Sequence, residues 1–375
     1  MISKLNSYVI ILAAGFGTRL KPLSNRIPKP LIDINGKTII SRIISNFKEA
    51  GFKKFYVIVG HKKEFIKNEL EKNKNLEIEV IEQEKPIGMA DAIEKAFERL
   101  NQNLRKGTVS NMFITAADII FSKKEIMKMY DLYNNTKSDM ILSLMKSNDI
   151  KIAEGHGNVK ISKDSDLIKD TDINIGVSIV DVIEKPKVEQ ILSNYYSLPL
   201  YLVNNKIMNS LKSVKLSDRG EREFQDAIKN AISQGDNVRG IKIIDSLITN
   251  KTIGNFHLTN LKDIIKMNNR FLSGLVFDNF KSKNPKFIEP VKIKFGTKIG
   301  DNCIIGPNVI IGKNCEIGNS CEFSNTLLYD NVYIENSNKL DWCIIDENVH
   351  LPENFKGKEC FITRTNENDL EIIKF

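Results

Sequence analysis

Apolar runs and amphipathic stretches alternate along the first 275 residues in the order expected of strands and helices. Residues 8–14 are short, apolar and rich in branched side chains, which predicts a buried strand. The periodicity then predicts a helix over 38–50, a strand over 55–59, a helix over 62–71, a strand over 76–82, a helix over 88–100 and a strand over 111–116. Further strands are expected over 140–144 and 176–183, and the last helices over 221–234 and 261–275. Such alternation predicts an α/β fold with a mostly parallel mixed sheet wrapped by helices. The polar segment 278–290, with Lys281, Lys283, Asn284 and Pro285, reads as a linker, so domains are expected over 1–277 and 291–375.

Beyond it the period becomes six. Ile299, Ile305, Ile311, Ile317 and Phe323 recur in that register, and Gly300, Gly306, Gly312 and Gly318 follow the first four. Neither a helix nor an alternating strand gives a period of six, whereas a hexapeptide β-helix does, each hexapeptide forming one side of a triangular coil. Cys303, Val309, Cys315 and Cys321 take the second inward position, where a narrow core needs small side chains. After Ser324 the pattern weakens, although Val332, Ile334, Ile344 and Val349 carry it irregularly to about Leu351. Pro352 and the polar stretch 353–358 predict its end. A coil has open ends and flat faces, so a homo-oligomer is expected.

The densest chemistry lies where the first strand ends, in LAAGFGTRLKPLSNRIPKPL from Leu12 to Leu31. Gly15 and Gly17 let backbone amides approach an anion, and Arg19 and Lys29 add fixed positive charge. Pro22, Pro28 and Pro30 stiffen the loop. A plain glycine-rich turn and a dinucleotide fingerprint compete with this reading, but a third glycine is absent, as is GxxxxGK[ST]. The string resembles the signature LAAGxGTRLxPLTxxxPKPL of the sugar-1-phosphate nucleotidylyltransferases, with Ser24 for the usual threonine. The resemblance implies a Rossmann-like nucleotidyltransferase domain followed by a left-handed β-helix. In such enzymes a sugar-1-phosphate oxygen attacks the α-phosphorus of a nucleoside triphosphate and pyrophosphate leaves. It also implies that Leu12, Ala13, Ala14, Gly15, Gly17 and Thr18 hold the nucleotide, that Arg19 neutralises pyrophosphate, and that Lys29 holds the reacting phosphates.

Separated blocks continue the resemblance. IEQEKPIGMADAI, 81–93, is similar to Q/E-x-x-x-L-G-T-A-x-A-I, which makes Gln83 the base reader and Gly88 a close backbone approach, with Met89 for the usual small residue. A glutamine amide, with one donor and one acceptor face, suits the imide edge of uracil or thymine, so UTP or dTTP is expected. Asp118 follows the apolar run 112–117 and corresponds to the family's metal-binding aspartate, with Ala117 for the usual glycine; a helix N-cap is the plainer alternative, open also to Ser122. Gly157 in GHGNVKI resembles the YGVV segment that contacts the sugar, with His156 for the aromatic residue. Glu184 and Lys185, before Pro186, match the EKP block, implying a contact to sugar hydroxyls and one to the sugar phosphate. In NFHLTNLKDIIKMN, 255–268, His257 falls where the family has its second metal-binding aspartate. Mg²⁺ is the implied cofactor, and imidazole at that position opens Mn²⁺ or another divalent metal, a structural histidine being the alternative.

Length and composition set the frame. At 375 residues two domains are expected. The net charge of +8 comes from scattered lysines with no basic and aromatic interleaving, so it reads as a lysine- and asparagine-rich solvated surface and no nucleic-acid partner is expected. No apolar run reaches membrane-spanning length and no secretory leader is evident, so no membrane association and a cytoplasmic location are expected. The five cysteines form no CxxC pair and read as buried structural thiols. Two other activities compete: a non-catalytic nucleotide-sugar-binding homologue, in view of Met89, Pro199 and His257, and a bifunctional enzyme with acetyltransferase activity in the coil, where His350 is the one histidine.

Overall fold

A computed structural model describes residues 7–103, 111–162, 176–243, 256–277, 281–282, 284–365 and 369–375. The chain divides into two compact units: Met1–Thr18, Ser24–Ile32 and Thr38–Ile253 form one, and Arg19–Leu23, Asp33–Lys37 and Gly254–Phe375 the other.

The first unit is built on a nine-stranded sheet. Its strands are β1 (Ser7–Ala13), β4 (Lys54–Val59), β5 (Glu77–Glu82), β6 (Asn111–Ala116), β7 (Met140–Lys146), β8 (Gly157–Ile161), β9 (Val177–Glu184), β10 (Tyr195–Val203) and β11 (Val238–Lys242). A separate hairpin pairs β2 (Asp33–Ile34) with β3 (Lys37–Thr38). The sheet order is β5-β4-β1-β6-β10-β7-β11-β9-β8. β5, β4, β1 and β6 run parallel, and β10 enters antiparallel between β6 and β7. β1 is buried along nearly its whole length because helices cover both sheet faces, hence its unbroken apolar sequence. The helix Ile39–Glu49 turns Ile39, Ile40, Ile43, Ile44 and Phe47 inward, and Thr38 caps it by accepting from the Ser41 amide. Edge-to-face contacts of Phe52 with Phe47, Phe113 and Tyr130 bind that helix layer to the sheet.

The strands over 55–59, 76–82, 111–116, 140–144 and 176–183 appear within a residue or two of expectation. β8, β10 and β11 had no counterpart in the sequence reading. Pro199 explains part of this: β10 shifts register between Leu198 and Tyr201, and that irregularity accommodates a residue with no amide to donate.

In the second unit the boundary drawn from sequence needs correction. Leu275–Phe277, Lys281–Ser282 and Lys286–Phe287 pair in parallel with Val291–Ile293, Lys298–Ile299 and Ile304–Ile305, so the described residues of the segment read as a linker belong to the first turn of the coil, residues 278–280 and 283 lying outside the described ones. A coil demands inward apolar residues at only two of six positions, so a polar stretch can be its outer face. The helix Leu261–Phe271 also belongs to this unit, where Lys262 pairs with Glu359 at 2.7 Å and lies over the Trp342 ring.

The coil also runs past Leu351. Val291 stacks on Val309, 18 positions on, but Ile310 stacks on Leu327 and Leu327 on Ile344, 17 positions on. One side of each later turn has five residues instead of six, which is why the hexad pattern fades after Ser324. Inward positions resume at Leu328, Ile334, Leu340, Ile345, Leu351 and Ile362, all buried. The coil reaches Lys356–Arg364, and Leu370–Lys374 pairs antiparallel against that strand.

Candidate functional site

The parallel strands β5, β4, β1 and β6 end at a common edge, which in open α/β sheets is where ligands bind. Across four strands that edge spans roughly 14 Å. The Ala14–Thr18 loop leaves it from β1, Gln83 from β5 and Asp118 just beyond β6. Gly17 has φ +63°, a conformation glycine adopts without strain. Gly60, which sequence reading missed, ends β4 against the loop: a Cβ there would stand 2.9 Å from the Ala14 carbonyl oxygen. Lys62 donates to the Ser24 and Asn25 carbonyls and ties down the return of the loop.

That return carries Lys29 to Asp118, 89 residues away in sequence. Lys29 Nζ lies 2.6 Å from Asp118 Oδ2, and both side chains are largely shielded from solvent. Asp118 is no helix cap: Ser122 caps Lys123–Thr136 in a capping box with Glu125. The ammonium and carboxylate thus form a charge pair at the strand edge from which the exposed glycine-containing loop also leaves.

Gln83 is 2% exposed and its side-chain amide is fixed. Nε2 donates to Asp91 Oδ2 at 2.7 Å and reaches the Gly88 carbonyl at 3.4 Å. Gly88 has φ +115°, and a Cβ there would come within 2.4 Å of the Arg222 carbonyl oxygen. Arg222 donates its amide to the Ile87 carbonyl and accepts from the Ala90 amide, while its guanidinium pairs with Glu94 at 2.6 Å. Asp91 and Arg222 were invisible as site residues in the sequence. The charge-dense stretch 218–223 before an amphipathic helix was the available signal.

Gly157 and Glu184 are cross-strand partners on β8 and β9. A Cβ on Gly157 would press on Ser197 Oγ at 2.7 Å and Gln225 Nε2 at 2.8 Å, so the absent side chain leaves these polar groups accessible to one another. Gln225 Nε2 donates to the Tyr201 hydroxyl, whose burial pushes its pKa up. Glu184 Oε1 stands 3.6 Å from Lys185 Nζ, whereas Oε2 is buried with no hydrogen-bond partner among the described residues. Burial pushes the Glu184 carboxyl up to about 7, Lys185 opposing and Glu223 adding to the shift. Burial likewise raises Asp226, helped by Glu223, which pairs with Arg219 at 2.8 Å. A buried carboxylate oxygen with no hydrogen-bond partner among the described residues can accept from a ligand hydroxyl. Ser197, Tyr201, Glu223 and Gln225 join this polar cluster only through the fold.

Arg19 is exposed and His257 buried, and both belong to the second unit. Among the described residues no three His, Cys, Asp or Glu side chains gather as a metal cage. Asp118 supplies one hard oxygen donor group, which fits an ion such as Mg²⁺ that takes one or two carboxylates and fills its other positions with water and phosphate.

The family model for nucleotidyl transferases matches residues 8–246. The chain belongs to the sugar-1-phosphate nucleotidylyltransferase family. A second family model, described as the GMPPB C-terminal domain, matches residues 287–364 of the coil. A bifunctional protein GlmU from Methanococcus maripaludis is 35% identical over 92% of this chain and 74% of its own length. The chain spans about half (47%) of another GlmU from the same species. A UTP–glucose-1-phosphate uridylyltransferase, AglF, from Haloferax volcanii is 27% identical over 62% of this chain and 87% of its own length. A UDP-glucose pyrophosphorylase solved with UDP-glucose shares the fold at a TM-score of 0.53 and 20% identity, covering 63% of this chain and 90% of that one. No helix among the described residues of this nucleotidylyltransferase is long and apolar enough to cross a membrane.

Proposed function

We propose that this nucleotidylyltransferase joins UTP or dTTP to a sugar 1-phosphate of the glucose or N-acetylglucosamine type, yielding a nucleoside-diphosphate sugar and pyrophosphate. A sugar-phosphate oxygen bonds to the α-phosphorus as the bond to the β-phosphate oxygen breaks, so no protein nucleophile is required. The work left to the protein is positioning and charge neutralisation. Lys29 would hold the reacting phosphates and Arg19 the departing pyrophosphate. Leu12, Ala13, Ala14, Gly15, Gly17 and Thr18 would cradle the nucleotide, Gln83 and Gly88 its base, and Gly157, Glu184 and Lys185 the sugar phosphate. Enzymes of this family use a divalent metal; we assign Mg²⁺ to Asp118, where it would neutralise phosphate charge.

The single observation that carries this reading is the Lys29–Asp118 pair at 2.6 Å on the strand edge beside the exposed loop, a cation and a carboxylate brought together across 89 residues. Pyrophosphate release across a panel of nucleotides, sugar phosphates and divalent metals tests it. Turnover with UTP or dTTP and a glucose-type sugar phosphate is expected. Silence across the panel with nucleotide-sugar binding retained would replace it by the regulatory reading. We further propose a homo-oligomer assembled through the coil, which light scattering checks; a clean monomer at micromolar concentration refutes it.

A further inference from the structure

Gln83 sits where the proposed site would read the base, yet its amide is already half committed. Both Nε2 contacts run inward, to the Asp91 carboxylate and the Gly88 carbonyl. Turning the amide over would set its oxygen against two acceptors, so the neighbours dictate its orientation. Among the described residues nothing donates to Oε1.

Asp91 is itself firmly placed. It lies in the first turn of the helix Met89–Asn103 and is 8% exposed, with Lys95 Nζ at 3.1 Å and Arg222 Nη1 at 3.9 Å. The turn before it is pinned by the backbone hydrogen bonds to Arg222. A carboxylate only accepts, so Gln83 can only donate toward it.

From this we propose that Asp91 is a positioning residue that sets nucleotide specificity: by taking the Gln83 N–H group it leaves an acceptor to meet the base. That acceptor matches the N3–H of uracil or thymine and opposes the lone pair at N3 of cytosine. This inference rests on the nucleotidyl-transfer reading, and it narrows Gln83 from a two-faced reader to a one-faced one.

The test compares kcat/KM for UTP and CTP in the full-length enzyme, with binding of UMP and CMP measured alongside. In D91N the new amide can donate to Gln83 Oε1, freeing Gln83 to present either face, and the UTP preference is expected to fall at least tenfold. D91E retains the carboxylate and should restore the preference to within about threefold of wild type. K95A removes an ion pair but not the Gln83 contact, and should leave the ratio unchanged. A uniform loss for both nucleotides in D91N, or a K95A effect as large as that of D91N, would show Asp91 to be merely structural and overturn the proposal. A wild-type protein that neither binds nor turns over any nucleotide would instead overturn the nucleotidyl-transfer reading beneath it.

Discussion

The sheet edge and the coil use polar groups in opposite ways. In the coil, one solution is repeated at every turn. Cys303, Cys315 and Cys321 are buried, and each thiol contacts a carbonyl of the next turn at 3.1 to 3.3 Å. Corners recur in the left-handed region at Asn302, Asn308, Asn314, Asn325, Asn331, Asn348 and Asn354, the residue type besides glycine that tolerates it best. Asn308 and Asn325 bond to each other across turns, as do Asn331 and Asn348. In the first unit nothing repeats: among the described residues Glu184 keeps a buried oxygen unpartnered and Gln83 keeps its carbonyl open, while Lys29 and Asp118 confront each other half-buried. Regular pairing makes a scaffold, and withheld pairing makes a site that a ligand can complete.

The comparison breaks first at Asp118. D118N should lower turnover at least a thousandfold, about 4 kcal/mol of transition-state stabilisation, in a pyrophosphate-release assay. A loss below tenfold would remove the strand edge as the reaction centre. Next come two glycines with the same φ of +115°: a Cβ on Gly306 would stand 1.8 Å from the Ile288 carbonyl oxygen, and one on Gly88 would stand 2.4 Å from that of Arg222. Each alanine variant should lose about 3 kcal/mol in denaturant unfolding. Only G88A should also raise the nucleotide KM; a matching rise in G306A would blur the distinction between scaffold and site.

Glu184 tests whether the withheld pairing costs stability. Burial raises its carboxyl from 4.5 to about 7. Below pH 4.5 both folded and unfolded states are protonated. Between 4.5 and 7 the unfolded chain loses its proton while the folded one keeps it, so stability falls as pH rises, and the loss is complete above 7. E184Q escapes that loss and should be more stable than wild type by about 3 kcal/mol at pH 8, with the gap closing toward pH 4.5. Thermal melts across pH check it, and a constant gap would refute the cause. The smallest effect belongs to the coil: C315A should cost about 1 kcal/mol for the small cavity, whereas C315V should cost less, since Val309 fills the equivalent position one side earlier.

Much of this architecture was legible without coordinates, where the signal is short-range. Side chains within one strand, helix or coil side report their own period, and the twenty-residue loop motif is contiguous, so its residues needed no long-range partner to be recognised. The period failed where local chemistry is ambiguous. Polar residues 278–290 suit a linker or an outer coil face equally, and a five-residue side hid the later turns until the pairing of Ile310 with Leu327 revealed the 17-residue spacing.

By itself, then, the amino-acid sequence determined the α/β alternation, the glycine-rich loop motif that marks the family, and the hexad coil. Tertiary structure alone decided that Lys29 meets Asp118, that Asp91 turns the Gln83 amide, that Arg222 closes over Gly88 and that Glu184 is buried enough to hold its proton near neutrality. The reason is physical. Periodicity is a property of neighbours along the chain, whereas a charge pair, a fixed amide and a desolvated carboxyl depend on which distant segments exclude water from one place.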